Sequence, residues 1–193
     1  MTEHVVARVA EGRRETRKRS TREALEEAAL RRFAVDGYDD TSVDSIAADA
    51  GVSARTFFRY FATKDEVLDM GREERQAGLR TRIRALAATD LGDLDVLREA
   101  LVELARGFET DRERVQLRQR AAATSPVLRG RLYDTFASWE HVVARELGGD
   151  TRARTLAAVG FAVFRASTAT WAADGGSLPE IVERGFAVLG SSA

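Results

Sequence analysis

The chain has no cysteine among its 193 residues, which excludes disulfides, thiolate nucleophiles and zinc–thiolate centres. Histidine is nearly as scarce, at two. His4 lies near the start and His141 falls on the polar side of its segment, opposite Trp139; neither has a partner at metal-ligand spacing. No glycine-rich phosphate loop, nucleophile elbow or His-Glu zinc motif is present. These absences point away from catalysis, metals and cofactors. No segment approaches 18 consecutive apolar residues, and the start MTEHVVARVAEGRRETRKR lacks the apolar core of a signal peptide. The expectation is a cytoplasmic protein with no membrane partner. Proline is limited to two residues, so little interrupts a composition rich in helix formers.

Nor is there an excess of charge. The formal net charge is −1, so the chain has no global basic footprint. The distribution is more telling. Arg8 to Arg22 holds seven basic residues against Glu11 and Glu15, whereas Asp36 to Asp49 holds five acids and no base. Positive charge gathered on one surface is sufficient to attract a polyanion, because only the facing surface needs it.

Between Thr41 and Lys64 the chain reads TSVDSIAADAGVSARTFFRYFATK. Thr41 is placed to cap a helix with Asp44 three residues on, and Val43, Ile46, Ala47 and Ala50 follow at helical spacing. Gly51 stands where a left-handed residue would end that helix. Ser53 is a second N-cap, opening a short helix expected to run through Phe61. Phe57 and Phe61 should bury against Ile46 and Val52 and leave Arg55, Thr56, Arg59 and Tyr60 toward solvent. From Ser53 to Lys64 there are three basic residues and no acid. Arginine suits guanine O6 and N7, and hydroxyls suit phosphate oxygens or base edges, so this helix is expected to lie in a duplex major groove. Thr63-Lys64-Asp65-Glu66 reads as a capping box for the next helix, whose first amides can also face a phosphate.

The stretch from about Thr21 to Leu68, with RRFAVDGYDDTSVDSIAADAGVSARTFFRYFATKDEVL, closely resembles the N-terminal DNA-binding domain of TetR-family transcriptional regulators. Phe33, Gly37, Tyr38, Thr41, Ile46, Ala47, Gly51, Val52, Ser53, Thr56, Phe58, Tyr60, Phe61, Lys64 and Leu68 carry the likeness. Phe58 stands where a tyrosine is common in the family, which removes one phosphate hydrogen bond. The resemblance implies an all-α fold, with an N-terminal three-helix helix-turn-helix domain and a C-terminal helical bundle for ligand binding and dimerisation. It implies residues 1–19 as a flexible basic arm, 20–66 as the DNA-binding domain and 67–193 as the regulatory domain. It further implies a homodimer on a palindromic double-stranded operator, most often a repressor, released by a small-molecule effector. Thr41, Ser42, Ser53, Arg55, Thr56, Phe58, Arg59, Tyr60 and Lys64 are the candidate DNA contacts. Arg17, Lys18 and Arg19 join them if the arm touches DNA rather than remaining a solvated tail. The alternative is a helical protein-interaction module that keeps the helix-turn-helix fold but binds no operator.

The remainder reads as helix. A capping box at Ser20 and Glu23 should start the first helix, which stops near Gly37. One long charged helix is expected from Lys64 to about Ala88, then helices at about 93–109 and 111–123, and another from Ser125-Pro126 to Gly148. Leu94, Leu97, Leu101, Leu104 and Phe108 form one apolar stripe of the second of these. Leu104, Phe108, Leu117, Phe136, Trp139, Phe161 and Phe164 are candidate linings of a hydrophobic pocket, though each aromatic also reads as plain core. Arg165 either pairs with a carboxylate such as Glu140 or meets an anionic ligand head group. The Ala-rich helix from Thr151 to about Ala173 and a final amphipathic helix are, by resemblance, the dimer interface, although their composition equally fits a monomer core: Leu156, Gly160, Val163, Ser167, Trp171, Ile181, Gly185, Phe186 and Leu189. The segment TSPVLRGRLYDTFASWEHVVARELG has a weaker similarity to an actinobacterial branch of the family that includes mycofactocin-associated regulators, which implies an acyl chain or acyl thioester as effector.

Overall fold

Proline occurs only at positions 126 and 179, each in the first turn of a helix where its missing N–H is harmless. Nothing else forces a break, and the chain is almost entirely helical. A computed structural model describes the backbone of residues 2–69 and 71–190, and the side chains of 14–69 and 71–189. His4, Arg8 and Arg13 carry side chains outside the described residues. Nine α-helices are described: α1 (Thr2–Val35), α2 (Val43–Asp49), α3 (Ala54–Phe58), α4 (Arg72–Ala87), α5 (Asp93–Thr110), α6 (Arg112–Thr124), α7 (Pro126–Glu146), α8 (Thr151–Asp174) and α9 (Leu178–Gly190). A 3₁₀ helix, Lys64–Asp69, lies between α3 and α4.

Two expected boundaries are corrected. Residues 2–19 form the first half of α1, so Ser20 and Glu23 sit inside a helix and do not cap one. The segment is rich in Arg, Glu and Lys, which are good helix formers even without an apolar stripe. Arg19 and Glu23 form an i,i+4 pair at 3.9 Å, and the Thr21 hydroxyl bonds back to the Arg17 carbonyl at 2.9 Å. The expected long helix from Lys64 to Ala88 is broken at Gly71, whose φ is +71°. That left-handed residue separates the 3₁₀ turn from α4.

Helices α5, α6, α7, α8 and α9 fall close to their expected spans. α5 packs between α4, α8 and α9, and α7 packs between α4, α6 and α8. Leu97, Leu101, Leu104 and Phe108 are buried as the stripe requires, but Leu94 is exposed and Val96 takes a buried place instead. α8 is the one helix among the described residues long and apolar enough to cross a membrane by length and composition. Its Ala157, Phe161, Phe164 and Trp171 belong to the core of the bundle, alongside residues of α5, α7 and α9.

Among the described residues there are two hydrophobic cores. One belongs to the α4–α9 bundle. The other is built from Leu25, Leu30, Phe33, Ile46, Phe57, Phe61 and Val67, and it also takes in Leu117, Ala121 and Ala122 of α6 and Leu128 of α7. The N-terminal unit therefore shares its core with α6 and α7.

Candidate nucleic-acid interface

The turn between α2 and α3 follows from three residues. Gly51 has φ +67°; its amide bonds the Ala48 carbonyl at 3.0 Å, and the Val52 amide bonds the Ala47 carbonyl at 2.9 Å. These two bonds make the Schellman stop that only a left-handed residue allows. Ser53 then caps α3, its hydroxyl accepting from the Thr56 amide at 3.2 Å. α3 is shorter than expected, ending at Phe58, yet the Phe61 amide still reaches the Phe57 carbonyl at 3.0 Å.

Phe57 and Phe61 are buried with ring centroids 5.4 Å apart and anchor this turn to the core. The opposite side is open. Arg55 and Arg59 are exposed, Tyr60 and Thr56 are half-buried, and Phe58 is 56% exposed. The Arg59 guanidinium lies 5.1 Å from the centre of the Tyr60 ring and holds its hydroxyl at 3.4 Å. Thr56 shares a 3.1 Å hydroxyl contact with Ser53.

Other candidates have different places. Thr41 is buried and does not cap α2; its hydroxyl donates to the Gly37 carbonyl at 2.6 Å. Ser42, exposed, is the N-cap, accepting from the Ser45 amide at 3.0 Å. The Lys64 ammonium donates to the carbonyls of Tyr38 at 2.5 Å and Thr41 at 2.8 Å, and lies 4.1 Å from the centre of the Tyr38 ring. Lys64 thus ties the start of the 3₁₀ helix to the segment leading into α2. Glu66 accepts from the Ala62 amide at 2.6 Å, one residue earlier than a capping box at Thr63 demands. Arg17, Lys18 and Arg19 are exposed on α1, and Lys18 and Arg19 border a cleft toward α4 and α6.

Two acids of the run, Asp36 and Asp49, share one arginine. Arg32 grips Asp49 with two bonds, at 2.6 and 2.8 Å, and Asp36 at 3.4 Å. The Asp49 carboxyl is held below its ordinary value by that Arg32 hydrogen bond. Asp65 accepts from Arg131 of α7 at 2.6 Å and from the Tyr38 hydroxyl at 3.2 Å. Burial pushes the Asp65 carboxyl up, but hydrogen bonds from Arg131, Thr63 and its own backbone bring it below the usual range.

Sequence reasoning missed how the two units are joined. Glu26 of α1, fully buried, is hydrogen-bonded by Arg118 of α6 and faces Arg114 at 3.7 Å. Burial, outweighing the attraction of these two arginines, raises the Glu26 carboxyl above its ordinary value. Arg131 also reaches Asp69 at 3.2 Å, and the Thr124 hydroxyl bonds the Phe33 carbonyl at 3.2 Å. No local signal in the sequence marks Glu26, since its partner is 92 residues away.

The expected pocket residues divide. A cleft of about 350 Å³ lies between α6, α7 and α8, lined by Leu132, Tyr133 and Phe136 with Arg129 and Arg165. Leu132, Phe136 and Gln119 also line a small cavity of about 30 Å³ behind it, walled by Phe108 and Trp139. Phe161 and Phe164 are fully buried and border neither space; Phe164 packs its ring against Phe108 and Phe136. Leu104 also borders neither, and Leu117 lies in the core beneath α1. Arg165 pairs with Glu140 at 3.9 Å. Of the expected interface residues, Gly160, Ser167, Trp171 and Phe186 are buried within the single chain. A Cβ on Gly160 would stand 2.5 Å from Leu97, which is why α8 and α5 approach so closely there. Gly185 faces Val163 in the same way. Leu156, Val163 and Ile181 are partly exposed, and Leu189 is exposed.

Residues 25–69 match the model of bacterial regulatory proteins of the tetR family, and residues 91–193 match the MftR C-terminal domain. A protein of Mycobacterium tuberculosis assigned as the mycofactocin biosynthesis transcriptional regulator MftR is 30% identical over 183 residues, covering 91% of this chain and 92% of its own. The chain belongs to the TetR family of transcriptional regulators. The HTH-type transcriptional regulator TcmR of Streptomyces glaucescens is 46% identical over 56 residues, covering 29% of this chain and 25% of its own. Among solved structures, FadR of Thermus thermophilus, a TetR-family repressor in complex with lauroyl-CoA, is 25% identical with a TM-score of 0.59, covering 87% of this chain and 92% of that one. This TetR-family protein is a DNA-binding transcriptional regulator of a non-enzymatic family.

Proposed function

We propose that the protein is a cytoplasmic repressor that docks as a homodimer on a palindromic operator and leaves it when an amphipathic acyl ligand enters the regulatory bundle. The observation that carries this reading is the acid-free face of α3, with Arg55 and Arg59 exposed and the opposite face buried. Arg55 reads a guanine edge, Phe58 meets thymine methyls or sugars, and Arg59 with Tyr60 grips phosphate. A single α3 touches too few bases for a tight site, so two half-sites about 34–36 Å apart must be engaged together.

The partner copy covers the outer line of α8 and α9, where Ala162, Ala166, Val188 and Leu189 lie exposed. The ligand enters between α6, α7 and α8, with its apolar part against Leu132 and Phe136 and an anionic head at Arg129 and Arg165. The lauroyl-CoA complex of the Thermus protein supports an acyl thioester. Leu132 adjoins Arg131, which grips Asp65 and Asp69 just beyond α3, so displacing Leu132 shifts the whole DNA-binding unit. About 1–3 kcal/mol of coupling is sufficient for release. The test is a duplex selected from a random pool, its affinity measured with and without lauroyl-CoA. Sequence-selective binding that weakens with the ligand supports the reading; binding without sequence preference sinks it.

A further inference from the structure

A second cleft, of about 370 Å³, lies where α1, α4 and α6 meet. Six of its lining side chains are basic: Lys18, Arg19, Arg22, Arg75, Arg114 and Arg118; four are carboxylates. Arg75 and Arg118 are shared with the small apolar cavity bounded by Phe108, Phe136 and Trp139, so they form a common wall. The Trp139 indole N–H, in a side chain only 2% exposed, has no acceptor among the described residues. A buried donor of this kind awaits an acceptor. Arg75 is pushed below its ordinary basicity by burial and then by the nearby Arg118 charge, the strain expected where two guanidiniums crowd each other.

The cations in this cleft also hold the two units together. Arg118 and Arg114 engage the buried Glu26 of α1, while Arg75 and Arg114 engage Asp111 at 3.1 and 3.6 Å. Guanidinium forks suit phosphate at least as well as carboxylate. An anion bound here would compete with Glu26 for Arg118.

We propose that this cleft is a regulatory phosphate site: a phosphate-bearing ligand seated among Arg22, Arg75 and Arg114 draws Arg118 and Arg114 from Glu26 and loosens α1 from α6. The inference deepens the ligand-released regulator described above and rests on it for its consequence, but not for its binding step. The site differs from the α6–α7–α8 cleft, and an amphipathic ligand whose tail reaches the shared cavity would present an acceptor to Trp139.

The test uses the full-length protein with inorganic pyrophosphate and coenzyme A as probes, against sulfate at matched ionic strength. Calorimetry without DNA should detect either probe, and Arg22→Ala and Arg114→Ala should each weaken it about tenfold. Pyrophosphate binding alone identifies free phosphate as sufficient; binding of coenzyme A alone identifies an organic phosphate head group. On the selected operator, the bound probe should lower the parent's affinity about tenfold, whereas Glu26→Gln should still bind the probe but lose most of that effect. Amide exchange in residues 21–34 and 112–124 of the parent should quicken with the probe. Binding no stronger than that of sulfate, alanine variants equal to the parent, unchanged exchange, or Glu26→Gln coupled like the parent would each overturn the proposal. A protein that bound no operator would still give the calorimetric and exchange results, so the two readings fail separately.

Discussion

Replacing Gly51 by alanine should destabilise the DNA-binding unit without any clash. At φ +67° a Cβ meets nothing within 4 Å, so the cost is backbone strain alone. An L-residue in the left-handed region costs about 1–2 kcal/mol. Alanine also restricts the unfolded chain, which returns about 0.4–1 kcal/mol. The difference is a net loss of up to about 1.6 kcal/mol, concentrated at the turn that sets the angle between α2 and α3. Gly51→Asn should lose less, because asparagine tolerates that conformation. Urea unfolding measures the stability, and fluorescence anisotropy on the selected duplex measures the reading of DNA. If alanine is as stable as glycine, or asparagine costs as much as alanine, the left-handed stop is not what holds the turn.

Other outcomes follow from the same geometry. Arg55→Ala should relax base preference at one position of each half-site by about 1–3 kcal/mol, read by competition with single-base variants. Lys64→Met, by leaving the Tyr38 and Thr41 carbonyls without their cationic donor, should lower stability by about 1.5–3 kcal/mol in chemical unfolding, where a pure phosphate contact would leave it unchanged. The Asp65 carboxyl is depressed in the folded state, so its contribution is present above about 3.8 and is lost as pH falls through the lower folded value. Arg131→Met should abolish that part of the acid transition, measured by urea midpoints as the pH falls from about 5 to about 2. Ala166→Glu with Leu189→Asp should yield a 21 kDa monomer in sedimentation and lose operator binding together with the dimer.

The helix-turn-helix was legible because its determinants are local. Gly51, Ser53 and the Phe57–Phe61 pair act on neighbours within a few residues. Two adjacent hydroxyls, Thr41 and Ser42, are indistinguishable as caps by local rules; the Gly37 carbonyl drawing Thr41 inward decides between them. The helicity of residues 2–19 went unread because charged helices have no apolar period to detect. Gly71 looked like one glycine in a charged helix, and only its positive φ marks a break. Gly160 and Gly185 stand among the expected interface residues, and the structure shows close approaches to Leu97 and Val163 of the same chain there; sequence does not say whether an approaching surface is the same chain or a partner. The pairing of Glu26 with Arg118 and the entry of Leu117 and Leu128 into the α1 core depend on tertiary folding and leave no trace in local pattern.

The central claim is that α3 lies in the major groove and reads bases there. Methylation protection at guanine N7 on the selected duplex tests it most directly, because that atom faces the major groove. The account predicts protection in two half-sites about one helical turn apart, lost with Arg59→Ala although the variant unfolds like the parent. Binding that leaves every guanine N7 as reactive as in free DNA would contradict it.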